Sequence, residues 1–66
     1  MYKNAKAEMT RRGLTLSIVA SEMKIGVSTL SQKLNGISPI TLIEARQFKK
    51  IVKTDLPLEE LFKEVS

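Results

Sequence analysis

The 66-residue chain has no cysteine, no histidine and no tryptophan. Without cysteine there is no disulfide framework and no thiolate metal site. Without histidine the commonest metal ligand and the usual general base are both missing. The nucleophile–base pairs of hydrolases therefore lack a usual partner. The aromatics are Tyr2, Phe48 and Phe62 only, scattered at core spacings. They do not make the stacking platform used for single-stranded nucleic acid. No apolar run is long enough for a membrane span or a signal peptide. Neither GxGxxG nor a phosphate-cradling GxxxxGK[ST] occurs. Carboxylates are few. Glu59-Glu60 reads as a pair of first-turn acids favoured by the helix dipole, and Lys49-Lys50 as a solvated helix end. The expectation is a binding module and not an enzyme, with no metal, no cofactor and no small-molecule ligand, located in the cytoplasm.

Length and charge sharpen this. A chain this short forms one domain, residues 1–66, and buries only about 60% of its unfolded surface. Eleven Lys and Arg stand against seven Asp and Glu, for a net charge of +4. The distribution is uneven. Residues 1–12 carry Lys3, Lys6, Arg11 and Arg12 against Glu8, and residues 13–54 carry six basic side chains against two acidic ones. Residues 55–66 carry only Lys63 against Asp55, Glu59, Glu60 and Glu64. A basic body followed by an acidic end is the electrostatic footprint of a polyanion binder. General solubility explains the same excess about as well.

Apolar residues recur at helical spacing throughout. Tyr2, Ala5 and Met9 predict a first helix from about Lys3 to Arg12, with Gly13 as its left-handed stop. Thr15 can cap a second helix, in which Leu16, Val19, Ala20 and Met23 form the inward stripe. A third helix runs from about Val27 to Leu34 and closes on Asn35-Gly36. Thr41-Leu42-Ile43-Glu44 reads as a capping box for a fourth helix reaching Lys53, with Leu42, Ala45, Phe48, Ile51 and Val52 inward. Asp55 and Pro57 mark one more start. Leu58, Leu61, Phe62 and Val65 then make an apolar stripe on a short last helix. No segment reads as a strand, so the expected fold is all-α with five helices.

The stretch IGVSTLSQKLNG, residues 25–36, carries the function. Its apolar residues Leu30 and Leu34 supply an inner edge. Val27, Ser28, Thr29, Ser31, Gln32 and Lys33 remain for the outside. A helix that only needed solubility would more often use Glu and Lys, whereas hydroxyls and an amide donate and accept hydrogen bonds. With Ala20 allowing close approach and Ile25 anchoring the turn, residues 16–34 read as two helices joined by a tight turn. The second is then free to enter a major groove.

GLTLSIVASEMKIGVSTLSQKLNG resembles the Cro/C1-type (lambda-repressor-like, XRE) helix–turn–helix family. The features that carry this are Leu14-Thr15, Val19-Ala20, the turn at Lys24 to Gly26, and Asn35-Gly36. TLIEARQFKKIVKTDLPLEELF is similar to the family's fourth and fifth helices, so the resemblance spans roughly residues 3–62. The chain is most similar to small phage or prophage Cro-like and repressor-like regulators. It departs at three places. Leu16 stands where the family often has Gln, Lys24 where the turn often has Gly, and Lys33 where an apolar residue is common. Either Lys24 adopts the left-handed conformation, at a cost on the order of 1 kcal/mol, or Gly26 takes the strain in a differently shaped turn.

The resemblance implies roles. Val27, Ser28 and Gln32 would face base edges, with Gln32 pairing with adenine and Val27 touching a thymine methyl. Thr29, Ser31 and Lys33 would flank them. Thr15, Ser17, Lys24, Asn35 and Ser38 would contact phosphates. Lys3 and Arg12 would add non-specific attraction. Leu58, Leu61, Phe62 and Val65 would offer a dimer surface, giving a homodimer on a double-stranded DNA operator. Core packing explains most of that stripe equally well. The function implied is sequence-specific DNA binding by a transcriptional regulator, a repressor or Cro-like switch protein. The rival is a protein–protein adaptor or antirepressor built on the same scaffold.

Overall fold

The computed structural model describes residues 1–64. Five helices follow one another: α1 (Lys3–Arg11), α2 (Leu16–Met23), α3 (Val27–Leu34), α4 (Leu42–Val52) and α5 (Leu58–Leu61). Among the described residues there is no strand. None of the helices among these residues is long and apolar enough to cross a membrane.

Local chemistry sets the ends. Thr15 Oγ1 accepts from Ile18 N at 3.2 Å and so caps α2. Thr41 and Glu44 form the reciprocal capping box of α4, with Glu44 N donating to Thr41 Oγ1 at 3.1 Å and Thr41 N to Glu44 Oε1 at 3.0 Å. Helices α1, α2 and α3 all stop in the same way. The residue after each helix's last turn turns left-handed, and the following N–H reaches back five residues: Leu14 N to Met9 O (2.9 Å), Ile25 N to Ala20 O (3.0 Å) and Ile37 N to Gln32 O (2.9 Å). These are Schellman closures, which satisfy carbonyls that the helix leaves unpaired. The left-handed residues are Gly13, Lys24 and Gly36. Helix α4 ends similarly at Lys53, whose N–H bonds to Lys49 O at 2.9 Å. Thus Lys24 carries the turn between α2 and α3, while Gly26 has an ordinary φ of −71°. Arg12 and Lys53 lie just past the helices expected to contain them.

The core gathers residues from all five helices: Ala5 and Met9, Val19, Ala20 and Met23, Leu30 and Leu34, Phe48 and Val52, and Leu61. Phe62 extends it edge-on between Tyr2 (centroids 5.3 Å apart) and Phe48 (5.5 Å), in the edge-to-face arrangement that aromatic quadrupoles prefer. Polar ties fasten the chain's two ends. Tyr2 N donates to Leu34 O at 2.9 Å, and Asn4 Nδ2 to Glu60 O at 2.7 Å.

One inward assignment fails. Leu42 is 60% exposed. It occupies the first turn of α4, about 90° around the helix from the direction set by Ala45, Phe48 and Val52. Ile51 sits about as far round on the other side and is half-buried.

The buried carboxylate of Glu8 ties α1 to the segment after α4. It accepts from Thr54 Oγ1 at 2.5 Å and from Arg12 Nη1 at 2.8 Å, and it pairs with Arg11 at 2.9 Å. The Thr54 hydrogen bond, with the two guanidiniums, outweighs the effect of burial and holds this carboxyl below the ordinary range.

Candidate functional site

Helix α3 is eight residues long, and two of them, Leu30 and Leu34, are buried. At about 100° per residue, these two fix the core direction. Gln32 then lies diametrically opposite, and Ser28 and Thr29 lie within about 60° of that outward axis. All three are exposed. Ser31 and Lys33 fall on the flanks and are half-buried. Val27 is nearer the core side by angle, yet it is 45% exposed because it is the first helical residue, with no preceding turn beside it. The outer face is therefore Ser28, Thr29 and Gln32, with Val27 at its leading end.

This face is held by its surroundings. Ser38 Oγ donates to Gln32 Oε1 at 3.3 Å, and Ser38 N donates to Gln32 O at 3.2 Å. The loop after α3 thus restrains the Gln32 amide, leaving its nitrogen to donate and one lone pair of its oxygen to accept. Lys33 turns toward α4. Its Nζ lies 3.1 Å from Glu44 Oε1 and donates to Pro39 O at 3.0 Å, and its side chain is 14% exposed. The Thr41 N–H that donates to Glu44, reinforced by Lys33, holds the Glu44 carboxyl below the ordinary range. Lys33 is thus committed to joining α3 to the start of α4.

The five residues expected at phosphates divide. Thr15, Ser17 and Lys24 are exposed around α2, and none has a carboxylate partner among the described residues. Thr15 caps its helix, and its hydroxyl proton remains available. Asn35 is exposed but its amide is occupied on both sides: Oδ1 accepts from Lys6 Nζ, and Nδ2 donates to Ser31 Oγ at 3.3 Å. Ser38 is half-buried and bonded to Gln32. Neither α2 nor α3 has an acid in its first turn, so the positive ends of both dipoles are unopposed. Ser28 does not cap α3. Gly26 takes the cap position and makes no side-chain bond, which leaves the Ser28 hydroxyl free.

The apolar stripe of the last helix also divides. Leu61 is fully buried in the core and offers no surface. Leu58 and Phe62 are half-buried and line a shallow groove with Ile40, Leu42 and Ala45. Val65 lies outside the described residues. Sequence periodicity missed the strong exposure of the aliphatics Ile37 (74%), Leu42 and Ile43 (73%), and also of Ile18 on α2. It had no means of finding the Ser38–Gln32 bond, which joins a loop to a helix at a spacing that no regular element repeats.

No family model matches the chain, and no curated protein or solved structure is significantly similar to it.

Proposed function

We propose that this chain is a sequence-specific DNA-binding transcriptional regulator of the Cro/C1, lambda-repressor-like type, acting as a repressor or Cro-like switch and not as an enzyme. In this reading α3 enters the major groove, with Ser28, Thr29 and Gln32 at base edges and Val27 against a thymine methyl. Thr15, Ser17 and Lys24, with the unopposed N-terminus of α2, hold phosphates. The observation that supports this best is the outward face of α3. Its amide and hydroxyls are uncommitted except where Ser38 restrains Gln32. Asn35 and Lys33 serve the frame of that face. A regulator of this kind acts in the cytoplasm, at the nucleoid.

One such module buries roughly 600–1,000 Å² on DNA, which is small for specificity. Pairing two copies, with the groove of Leu42, Leu58 and Phe62 as the dimer surface, would bring a second α3 helix for a second half-site, which in dimers of this type lies about one helical turn away. The same exposed aliphatics would serve an adaptor or antirepressor, so the experiment must separate the two.

Selection of bound sites from a random-sequence duplex pool, followed by electrophoretic shift, does so. The expected result is a two-fold symmetric preferred site from which Gln32→Ala loses about 5- to 150-fold in affinity, the worth of one bidentate base contact. Ser28→Ala should lose less. A pool that yields no preferred sequence, or a Gln32→Ala protein that binds as wild type, returns the chain to the adaptor reading.

A further inference from the structure

Helix α4, together with Lys53 at its C-cap, carries a positively charged face. Arg46, Lys49, Lys50 and Lys53 recur at the i, i+3, i+4, i+7 spacing. They fall within an arc of about 100° and extend about 10 Å along the axis. Together they line a shallow groove with Thr54 and Asp55. Among the described residues none of the four pairs with a carboxylate. The one acid within α4, Glu44, is taken by Lys33. Among the described residues Asp55 is the only carboxylate in the groove, against four cations.

The helix dipole accounts for Lys49 and Lys50 in the last turn. It does not account for Arg46, a turn earlier. Like charges at i, i+4 disfavour a helix by a few tenths of a kcal/mol per pair. The face is also removed from α3. The ion pair joining the two helices is at Glu44, which lies on nearly the opposite side of α4, about 170° around the axis from the centre of this face.

We propose that this face of α4 is a second polyanion site, which takes the phosphate backbone of a nucleic acid duplex independently of α3. Over its length one strand of a duplex presents about three phosphates, a fair match for four cations and one acid. The composition of the groove favours this ligand over an acidic polypeptide. Among the described residues no Leu, Ile, Val, Met or aromatic side chain lines it. Protein–protein contacts take most of their affinity from buried apolar or aromatic anchors and are depleted in Lys at their centre. Phosphate contacts need cations and tolerate water. Two such faces on one chain would let it hold two duplex segments at once.

The test is the salt dependence of binding to a short duplex of scrambled sequence. It compares wild type, the triple variant Arg46→Gln/Lys49→Gln/Lys50→Gln, and Gln32→Ala. The triple variant should flatten the slope of log K against log salt by about 2 to 3, at roughly 0.9 per phosphate lost. Gln32→Ala should leave that slope unchanged. The single variant Lys50→Gln should flatten it by about 1, with Lys50→Arg restoring it. These two serve where far-ultraviolet dichroism finds the triple variant unfolded. An unaltered slope in the charge-deleted variants overturns the proposal. So does displacement of the duplex by polyglutamate at equal charge, or preferential binding to anionic phospholipid vesicles that the same variants abolish. A chain that selects no sequence yet loses slope in the triple variant keeps this site and loses only the α3 reading.

Discussion

Replacing Lys24 with glycine should make the protein more stable, although it removes a whole side chain. Lys24 sits at φ 60°, ψ 41° and closes α2. An L-residue in that conformation costs roughly 1–2 kcal/mol, because its Cβ crowds the following carbonyl. Glycine avoids that cost but loses more backbone entropy on folding, by roughly 0.5–1 kcal/mol. The Lys24 side chain is exposed and has no ion-pair partner among the described residues, so few contacts are lost. The net expectation is a gain of about 0.5–1 kcal/mol. For a domain this small that raises Tm by about 2–8 °C. The control is Lys24→Ala, which removes the same charge and keeps the left-handed strain. Thermal unfolding followed by far-ultraviolet dichroism should rank Lys24→Gly above both wild type and Lys24→Ala. Should Lys24→Gly prove no more stable than Lys24→Ala, the turn is not shaped as described and its strain is not in this residue. DNA binding separates the two effects, since both variants lose the same positive charge and should weaken equally if Lys24 meets a phosphate.

Three other outcomes follow from the same geometry. Gly36→Ala should destabilise more than Gly13→Ala. Both have positive φ, but a Cβ at Gly36 would sit 3.2 Å from Glu64 Oε1 and 3.4 Å from Met1 N, whereas one at Gly13 meets nothing within 4 Å; thermal melts of the two variants decide it. The folded-state carboxyls of Glu8 and Glu44 are both held below their ordinary value of about 4.5. Their stabilisation is therefore complete above the ordinary glutamate range and lost as pH falls through the lower folded values. Tm should stay level from neutral pH to about one unit above 4.5 and fall progressively below that, and Glu44→Gln should reduce the fall. A Tm that rises on acidification below that point contradicts the arrangement. Ser38→Ala should weaken binding to a selected operator while leaving the salt slope almost unchanged, because Ser38 acts by restraining Gln32. A slope reduced by about one would instead place Ser38 on a phosphate.

The helices were legible because their signals are local. Gly13, Thr15 and the Thr41–Glu44 box sit where backbone hydrogen-bonding needs them, and the apolar spacing marks Val19, Ala20, Leu30 and Phe48 as inward. Leu42 misled because its identity is that of a core residue, while its place in the first turn leaves nothing to pack over it. The outward set on α3 could be read from the two leucines that fix its rotation. What could not be read is which polar residues are already engaged. Lys33 with Glu44, Asn35 with Lys6 and Ser38 with Gln32 are pairings across separate segments, and spacing within one segment carries no trace of them. Likewise Leu61 and Leu58 look alike in the sequence, and only the packing of α5 decides that one is core and the other lines a groove.

Those pairings change what the positive charge means. A net +4 says only that the molecule attracts anions. In the fold, Arg11 and Arg12 are occupied with Glu8, Lys33 with Glu44 and Lys6 with Asn35. Of the seven cations without such partners among the described residues, four lie on or at the end of α4, Lys24 is at the turn before α3, and Lys3 and Lys63 lie near the two ends of the chain. The outward face of α3 itself carries no formal charge, since its central residues are Ser28, Thr29 and Gln32. A neutral hydrogen-bonding face cannot supply much affinity for a polyanion, but it can discriminate among base edges. Affinity at that face has to come from groups beside it, such as Lys24 and the N-terminus of α2. Sequence discrimination should therefore respond to Gln32, and the salt dependence of binding to a scrambled duplex to Arg46, Lys49 and Lys50. A single variant at Gln32 that changed both equally would mean that the two faces are one.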